Sequence, residues 1–196
     1  MQVQTRPMKI PGSWKEGYVL DYHTKSSDFV GYDEYGHPQF STVRTPVGDL
    51  LYRLKYKREK DALADLVSMA AEFIRRWGPP VKAIVPVPPS RHRLSQPVMQ
   101  VTQELAKFLG IPLRDVVQKA PIARELKNVF DYHERLKLLE DVYSVTAPDL
   151  RGRSVLLVDD LYRSGATLNA VAASLANQGK VREVYAFCLT RTRSSS

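Results

Sequence analysis

The spacing of apolar residues changes several times along the chain, and each change predicts an element. Lys82 to Pro88, KAIVPVP, is short and almost continuously apolar, the pattern of a strand covered on both faces. Val155 to Val158, VLLV, reads the same way and runs into Asp159 and Asp160, and VREVYAFCLT supplies a closing strand. Leu63, Leu66, Val67, Ala70, Phe73 and Ile74 recur at helical spacing and predict a helix from Asp61 to about Trp77, ended by Gly78-Pro79-Pro80. Val98, Val101, Leu105, Phe108 and Leu109 predict another, opened by Pro97 and closed by Gly110. Thr45-Pro46 reads as an N-cap with proline at the first helical position, opening a helix through VGDLLYRLKYK. IPLRDVV and DVYSVT predict two further strands. A strand, a basic loop, a helix and another strand in that order make an α/β protein with a parallel sheet.

Two stretches stand apart from this alternation. Residues 1–45 are β-leaning and broken by Gly, Pro and Asp, with Tyr18, Tyr22, Phe29, Tyr32, Tyr35 and Phe40 interleaved with polar residues as in a small hairpin. These rings predict packing beneath a short sheet, with base stacking as the alternative. His23, His37 and Asp33 are too loosely spaced for a metal site and read as surface polar residues. Residues 118–140 are strongly charged, with little apolar content at their start, and suit a mobile flap. Lys127, His133, Arg135 and Lys137 are the titratable groups that flap would deliver to a site; for most of them solvated helix charge is the simpler role. The terminal RTRSSS reads as a frayed tail.

Composition narrows the function classes. The 196 residues suit one domain with an appended subdomain, and 43% hydrophobic with 26% charged residues is a globular balance. No apolar run approaches the roughly 20 residues of a membrane helix, and the N-terminus lacks the apolar core of a signal peptide, so the expected setting is the cytoplasm. A lone cysteine, Cys188, excludes an internal disulfide and reads as a buried structural thiol. Twenty-nine basic residues against 21 acidic leave a charge of +8, which favours anionic partners, polyphosphate or nucleic acid. Arg53, Lys55, Lys57, Arg58 and Lys60 are the densest basic cluster; Lys55, Lys57 and Arg58 are candidate nucleic-acid contacts, with a solvated helix face as the plain alternative.

The chemistry concentrates in Val155 to Thr167, VLLVDDLYRSGAT. An apolar strand ends in two acids, and Arg163-Ser164-Gly165-Ala166-Thr167 then turns into a helix that begins near Thr167. Backbone N–H groups, two hydroxyls and a helix N-terminus converging in such a loop form a phosphate cradle. Strand ends of this kind hold ligands in open α/β sheets. The structural alternative for Asp159 and Asp160 is a strand-end turn and helix cap. A P-loop nucleotide hydrolase would need G-x-x-x-x-G-K-[ST], which occurs nowhere in the chain. A phospho-accepting receiver domain places its acids early in the sheet, and too few residues follow Asp160 here to complete one.

This stretch resembles the signature of the type I phosphoribosyltransferases: an apolar strand, two acids, two further residues and a small-residue phosphate loop. Tyr162 and Arg163 stand where that family usually has aliphatic and small residues. From about Val47 to Arg193 the chain is similar to the ComF group, amidophosphoribosyltransferase-like proteins associated with DNA uptake. The likeness rests on LLYRLKYK, IVPVPPSRHR, the pair Glu134-Arg135 upstream of VYSV, VLLVDDLYRSGATL, and a closing strand that ends LTRTR. One cysteine cannot form that group's frequent N-terminal zinc ribbon, and Leu94-Ser95-Gln96-Pro97 replaces its usual Arg-Gly-Phe-Asn-Gln.

The resemblance implies a Rossmann-like parallel sheet with a small N-terminal β/helical hood over residues 1–45, a phosphoribosyltransferase domain over 46–193 carrying a flexible flap, and a disordered tail at 194–196. It also implies phosphoribosyl diphosphate as ligand. That molecule has a 5′-phosphate, two vicinal ribose hydroxyls and a diphosphate leaving group. Arg163, Ser164, Gly165, Ala166 and Thr167 would take the 5′-phosphate, and Asp159 and Asp160 the ribose hydroxyls as the catalytic acids. Arg91, His92 and Arg93, with Lys82 nearby, would take the diphosphate. Mg2+ would be carried by substrate oxygens rather than by a protein site. The expected activity is phosphoribosyl transfer to a nitrogen acceptor; the alternative is a non-catalytic phosphoribosyl diphosphate sensor that engages single-stranded DNA or a DNA-uptake protein. Many members of the wider family are homodimers.

Overall fold

The computed structural model describes residues 5–89, 96–120 and 142–193. Its core is a five-stranded sheet of order β1-β2-β9-β8-β5, built from β1 (Met8–Lys9), β2 (Glu16–Tyr22), β5 (Ala83–Pro86), β8 (Ser154–Tyr162) and β9 (Glu183–Arg191). β2, β9, β8 and β5 are mutually parallel; only the edge strand β1 runs antiparallel. The central strands are fully covered, which explains their unbroken apolar sequence: Val155, Leu156, Leu157, Val158, Ala186, Phe187 and Cys188 are all buried.

Helices cover both faces. On one lie α1 (Pro46–Tyr52), α2 (Lys60–Trp77) and α3 (Pro97–Leu109), which pack Leu51, Leu66, Ala70, Val101 and Leu105 against Leu20, Ile84, Leu156 and Phe187. On the other lies α4 (Ala166–Asn177), with Val171 and Leu175 against Val19, Val155, Leu157 and Cys188. The caps fall where the residue types require them. Thr45 Oγ1 accepts from the Gly48 N–H at 3.0 Å and Pro46 opens α1; Gly78 and Gly110 end α2 and α3 in the left-handed region that glycine tolerates. No helix among the described residues is long and apolar enough to cross a membrane.

Three departures from the sequence expectations have physical causes. First, part of the stretch read as a hood joins the main sheet: β2 pairs in parallel with β9, and Val19 and Leu20 reach the two cores. The alternation Tyr18, Leu20, Tyr22 reads locally as a hairpin strand, because a parallel partner distant in sequence leaves no local signal. Second, the hairpin that does exist, β3 (Thr24–Tyr32) and β4 (Pro38–Arg44), pairs only with itself among the described residues. It has no core face, so Phe29, Tyr32, Tyr35 and Phe40 are 53–77% exposed instead of packed beneath a sheet. Tyr18 does pack, edge-on to Phe73 and Trp77. Third, IPLRDVV is not one strand. Leu113 makes a single bridge to Ile84, and β6 (Val117–Lys119) pairs antiparallel with β7 (Tyr143–Val145) in a small sheet of its own. Most of the stretch read as a flap, and the tail at 194–196, lie outside the described residues.

Because β2 is part of the core and the β3–β4 hairpin is not, truncation should separate them. Leu20→Ala is expected to cost about 2–5 kcal/mol, whereas Phe29→Ala should stay within about 0.5 kcal/mol. Urea denaturation of the two variants measures both.

Candidate functional site

β8 carries the acidic pair into the strand itself, ending at Tyr162 rather than at Asp160. The turn is therefore only Arg163 to Gly165, and α4 begins at Ala166. Gly165 has φ 78°, and a Cβ there would lie 2.9 Å from the Tyr162 ring. Tyr162 explains its own presence: buried, it donates from its hydroxyl to the Pro11 carbonyl at 3.1 Å and floors the turn beneath Gly165. Arg191, beside it on β9, lies over both the Tyr22 and Tyr162 rings. Arg163 and Ser164 are exposed at the tip, and Ser164 Oγ accepts from the Ala166 N–H at 3.4 Å. The first-turn N–H groups of α4 open toward this tip, as they do at any helix start.

The two acids meet different surroundings. Asp159 Oδ1 accepts from the Asp160 N–H at 2.8 Å. Burial pushes its carboxyl up to about 7, the neighbouring charge of Asp160 adding to the effect. The charge of Asp159 bears in turn on Tyr143 of β7, a buried phenol pushed up to about 12 chiefly by burial and hydrogen-bonded to the Thr167 side chain. Thr167 thus ties the start of α4 to the small β6–β7 sheet. Asp160 instead has a cation: Lys55 Nζ lies 2.6 Å from its Oδ2, with the two side chains 16% and 18% exposed. Thr190 Oγ1 donates to the Asp160 carbonyl at 3.1 Å. Having spent its one proton there, Thr190 must accept from His23 Nδ1 at 3.2 Å, so that nitrogen carries the hydrogen. His23 is half-buried, and burial lowers its pKa, with the charges of Lys55 and Arg44 acting the same way.

Lys55 arrives by a route the sequence conceals. Thr45 Oγ1 donates to the Tyr22 carbonyl at 2.6 Å, and Gly48 sits so close to the His23 carbonyl that a Cβ would overlap it, so α1 docks tightly on the end of β2. The following turn, Arg53–Lys57, is π-helical and ends at Arg58 with φ 56°. Leu54 is buried, Lys55 faces Asp160, and Lys57 and Arg58 face solvent. Lys55 stands one helical turn beyond the buried Leu51 and two beyond the buried Val47, so helical spacing itself keeps it on the inward side; the basic residues around it in sequence disguise this.

Of the residues expected in the site, the structure brings together Asp159, Asp160, Arg163, Ser164, Gly165, Ala166 and Thr167 at one end of the sheet. Arg91, His92 and Arg93 lie outside the described residues; the chain leaves β5 toward them at the same edge, Pro86 pairing with Val158. Lys82 does not belong to the site. Its N–H bonds the Ser154 carbonyl at the opposite end of β8, about 16 Å along the strand from Asp159. Lys55, assigned to nucleic acid with Lys57 and Arg58, is directed at the acidic pair instead. His23, taken for a surface residue, is part of the hydrogen-bonded support of Asp160. Cys188 is buried as expected, and burial raises its thiol well above the ordinary value. Among the described residues no three His, Cys, Asp or Glu side chains gather as a metal site. Asp159 and Asp160 are hard oxygen donors at a strand end, a set suited to Mg2+ held mainly by substrate phosphates and water.

Comparison with known proteins agrees with this geometry. The phosphoribosyl transferase domain model matches residues 99–195, which include β8, the turn and α4. Competence protein ComFC of Bacillus subtilis (strain 168) is 26% identical over 152 residues, covering 77% of this chain; the chain spans 62% of that relative's length. Among solved structures, an adenine phosphoribosyltransferase superposes with TM-score 0.50 at 13% identity, covering 86% of this chain and 85% of its own. A hypothetical protein from Neisseria gonorrhoeae with bound ppGpp matches at 19% identity and TM-score 0.45, covering 70% and 73% of the two chains. With its parallel sheet, the acidic pair near the end of β8 and the glycine turn into α4, the chain is similar to the type I phosphoribosyltransferases over its C-terminal half and, among curated proteins, to the ComF-type protein ComFC.

Proposed function

We propose that the chain binds phosphoribosyl diphosphate and transfers its phosphoribosyl group to a nitrogen acceptor with release of diphosphate. The observation that carries this reading is the join between β8 and α4: two carboxylates, then a three-residue turn whose Gly165 tolerates no side chain, then a helix N-terminus. A 5′-phosphate at the turn would meet backbone N–H groups, the Ser164 hydroxyl and the Arg163 guanidinium. The ribose hydroxyls would then reach Asp159 and Asp160, since the strand end abuts the turn. Displacement at the anomeric carbon builds oxocarbenium character, which an adjacent carboxylate stabilises; the nitrogen forms the new bond as the diphosphate leaves with the electron pair of the old one. Mg2+, bound with the substrate, supplies charge neutralisation to the leaving diphosphate. We place this activity in the cytoplasm, where a buried free thiol such as Cys188 is ordinary. The nucleic-acid reading has less support, because Lys55 is engaged by Asp160.

Calorimetric titration with phosphoribosyl diphosphate and Mg2+ tests the proposal: the native chain should bind, and Asp159→Asn/Asp160→Asn should lose affinity by roughly tenfold or more. Absence of binding by the native chain would remove the reading. Gly165→Ala, which forces a side chain against Tyr162 at positive φ, should weaken binding of inorganic phosphate and of phosphoribosyl diphosphate alike. Asp159 also makes stability pH-dependent. The folded chain keeps its proton up to about 7, whereas the unfolded chain loses it near 4, so the contribution of this group falls as pH rises across that window and is flat above it. Thermal melts from pH 4 to 8 should show this decline in the native chain and a shallower one in Asp159→Asn.

A further inference from the structure

The Lys55 ammonium carries three donors, and one is spent on Asp160 Oδ2. Among the described residues no second partner for it is found, although its side chain is only 16% exposed. A cation withdrawn this far from water is costly to leave partly unsatisfied, and oxygens of an anion are its natural complement. Both signs of charge meet there: burial, Lys55 and Arg44 lower the pKa of the half-buried His23, and Asp160 acts the other way. The sheet end therefore presents cationic groups at two separate places. Arg163 stands at the turn into α4, and Lys55 stands on the other side of the acidic pair, at the end of α1. An anionic ligand whose hydroxyls met the pair could be complemented by a cation at each of these places.

Resting on the proposed ligand, we infer that Lys55 is a substrate-binding residue, its ammonium bridging Asp160 and an oxygen of the diphosphate. The chemistry of the ligand fits this placement. The diphosphate is attached one carbon away from the nearer ribose hydroxyl, so a cation touching the carboxylate that holds that hydroxyl is within contact range of diphosphate oxygen. The 5′-phosphate, at the other end of the sugar, falls to the Arg163 side. The turn after α1 fits this placement: Leu54 is buried, Lys55 follows the buried Leu51 by one helical turn and faces Asp160, and Lys57 and Arg58 remain outside.

The test compares two ligands on the full chain by calorimetry, phosphoribosyl diphosphate with Mg2+ and ribose 5-phosphate, which lacks the diphosphate. Lys55→Met should weaken the first by roughly ten- to a hundredfold and the second by less than about threefold. Lys55→Arg should restore most of the lost affinity. Lys60→Met, an equal loss of charge at an exposed position, should move neither ligand. Equal weakening of both ligands in Lys55→Met would mean that Lys55 only holds Asp160 in place, and unchanged binding of phosphoribosyl diphosphate would mean that it does not touch the ligand; either overturns the inference while leaving the proposed function intact. If the native chain binds neither ligand, the proposed function falls and this assignment falls with it. Should Lys55→Met fail to fold, Lys55→Gln makes the same comparison.

Discussion

A strand buried on both faces that carries two adjacent carboxylates near its end is the constraint around which this molecule is arranged. Burial opposes the charge of Asp159, and the adjacent charge of Asp160 adds to the effect. The two are relieved in different ways. Asp159 holds a proton to about 7 and takes one hydrogen bond from its neighbour's amide; Asp160 is offset by the Lys55 ammonium at 2.6 Å. One sequence motif thus yields two chemically distinct groups: an acid poised near neutrality beside Tyr143, and a paired carboxylate beside a cation. The separation of roles by environment rather than by residue type is how paired carboxylates come to do different work.

Relieving Asp160 needs a lysine brought from a hundred residues earlier in the chain, and several short-range contacts serve that end. Thr45 joins α1 to the Tyr22 carbonyl, Gly48 lets the helix lie against His23, and His23 and Thr190 support the Asp160 carbonyl. Each of these residues belongs to the first 48 positions or to the closing strand, so β2 and β9 are as much a part of the site as β8. On the other face, Tyr162 and Pro11 perform the matching task for the turn, setting the floor on which Gly165 rests. The large apolar side chains of the two cores, Phe187 and Leu66 on one face and Leu157 and Leu175 on the other, pack the helices against the four parallel strands.

Legibility followed how local each cause was. The helices over 60–77 and 97–109 were readable because their apolar stripes, prolines and terminal glycines all act within a few residues. The acidic pair and its turn were readable because strand, acids and small residues are contiguous. β2 was not, since its partner β9 is more than 160 residues away. The exposure of Phe29, Tyr32, Tyr35 and Phe40 was also hidden: aromatic content suggests a core, and only the pairing of β3 and β4 with nothing else shows that none is offered. Lys82 misled for the complementary reason, since proximity in sequence to a strand says nothing about which end of the sheet it occupies.

The sequence by itself determined the α/β class, the buried central strands, the caps and the glycine turn into α4, because composition, period and turn chemistry act over distances of a few residues. Tertiary structure alone decided that the acids differ, that Lys55 and His23 serve one of them, and that β2 of the N-terminal stretch joins the main sheet while the β3–β4 hairpin does not. Those facts depend on how far each group is removed from water and on which distant group then stands beside it. Neither quantity exists until the strands have paired.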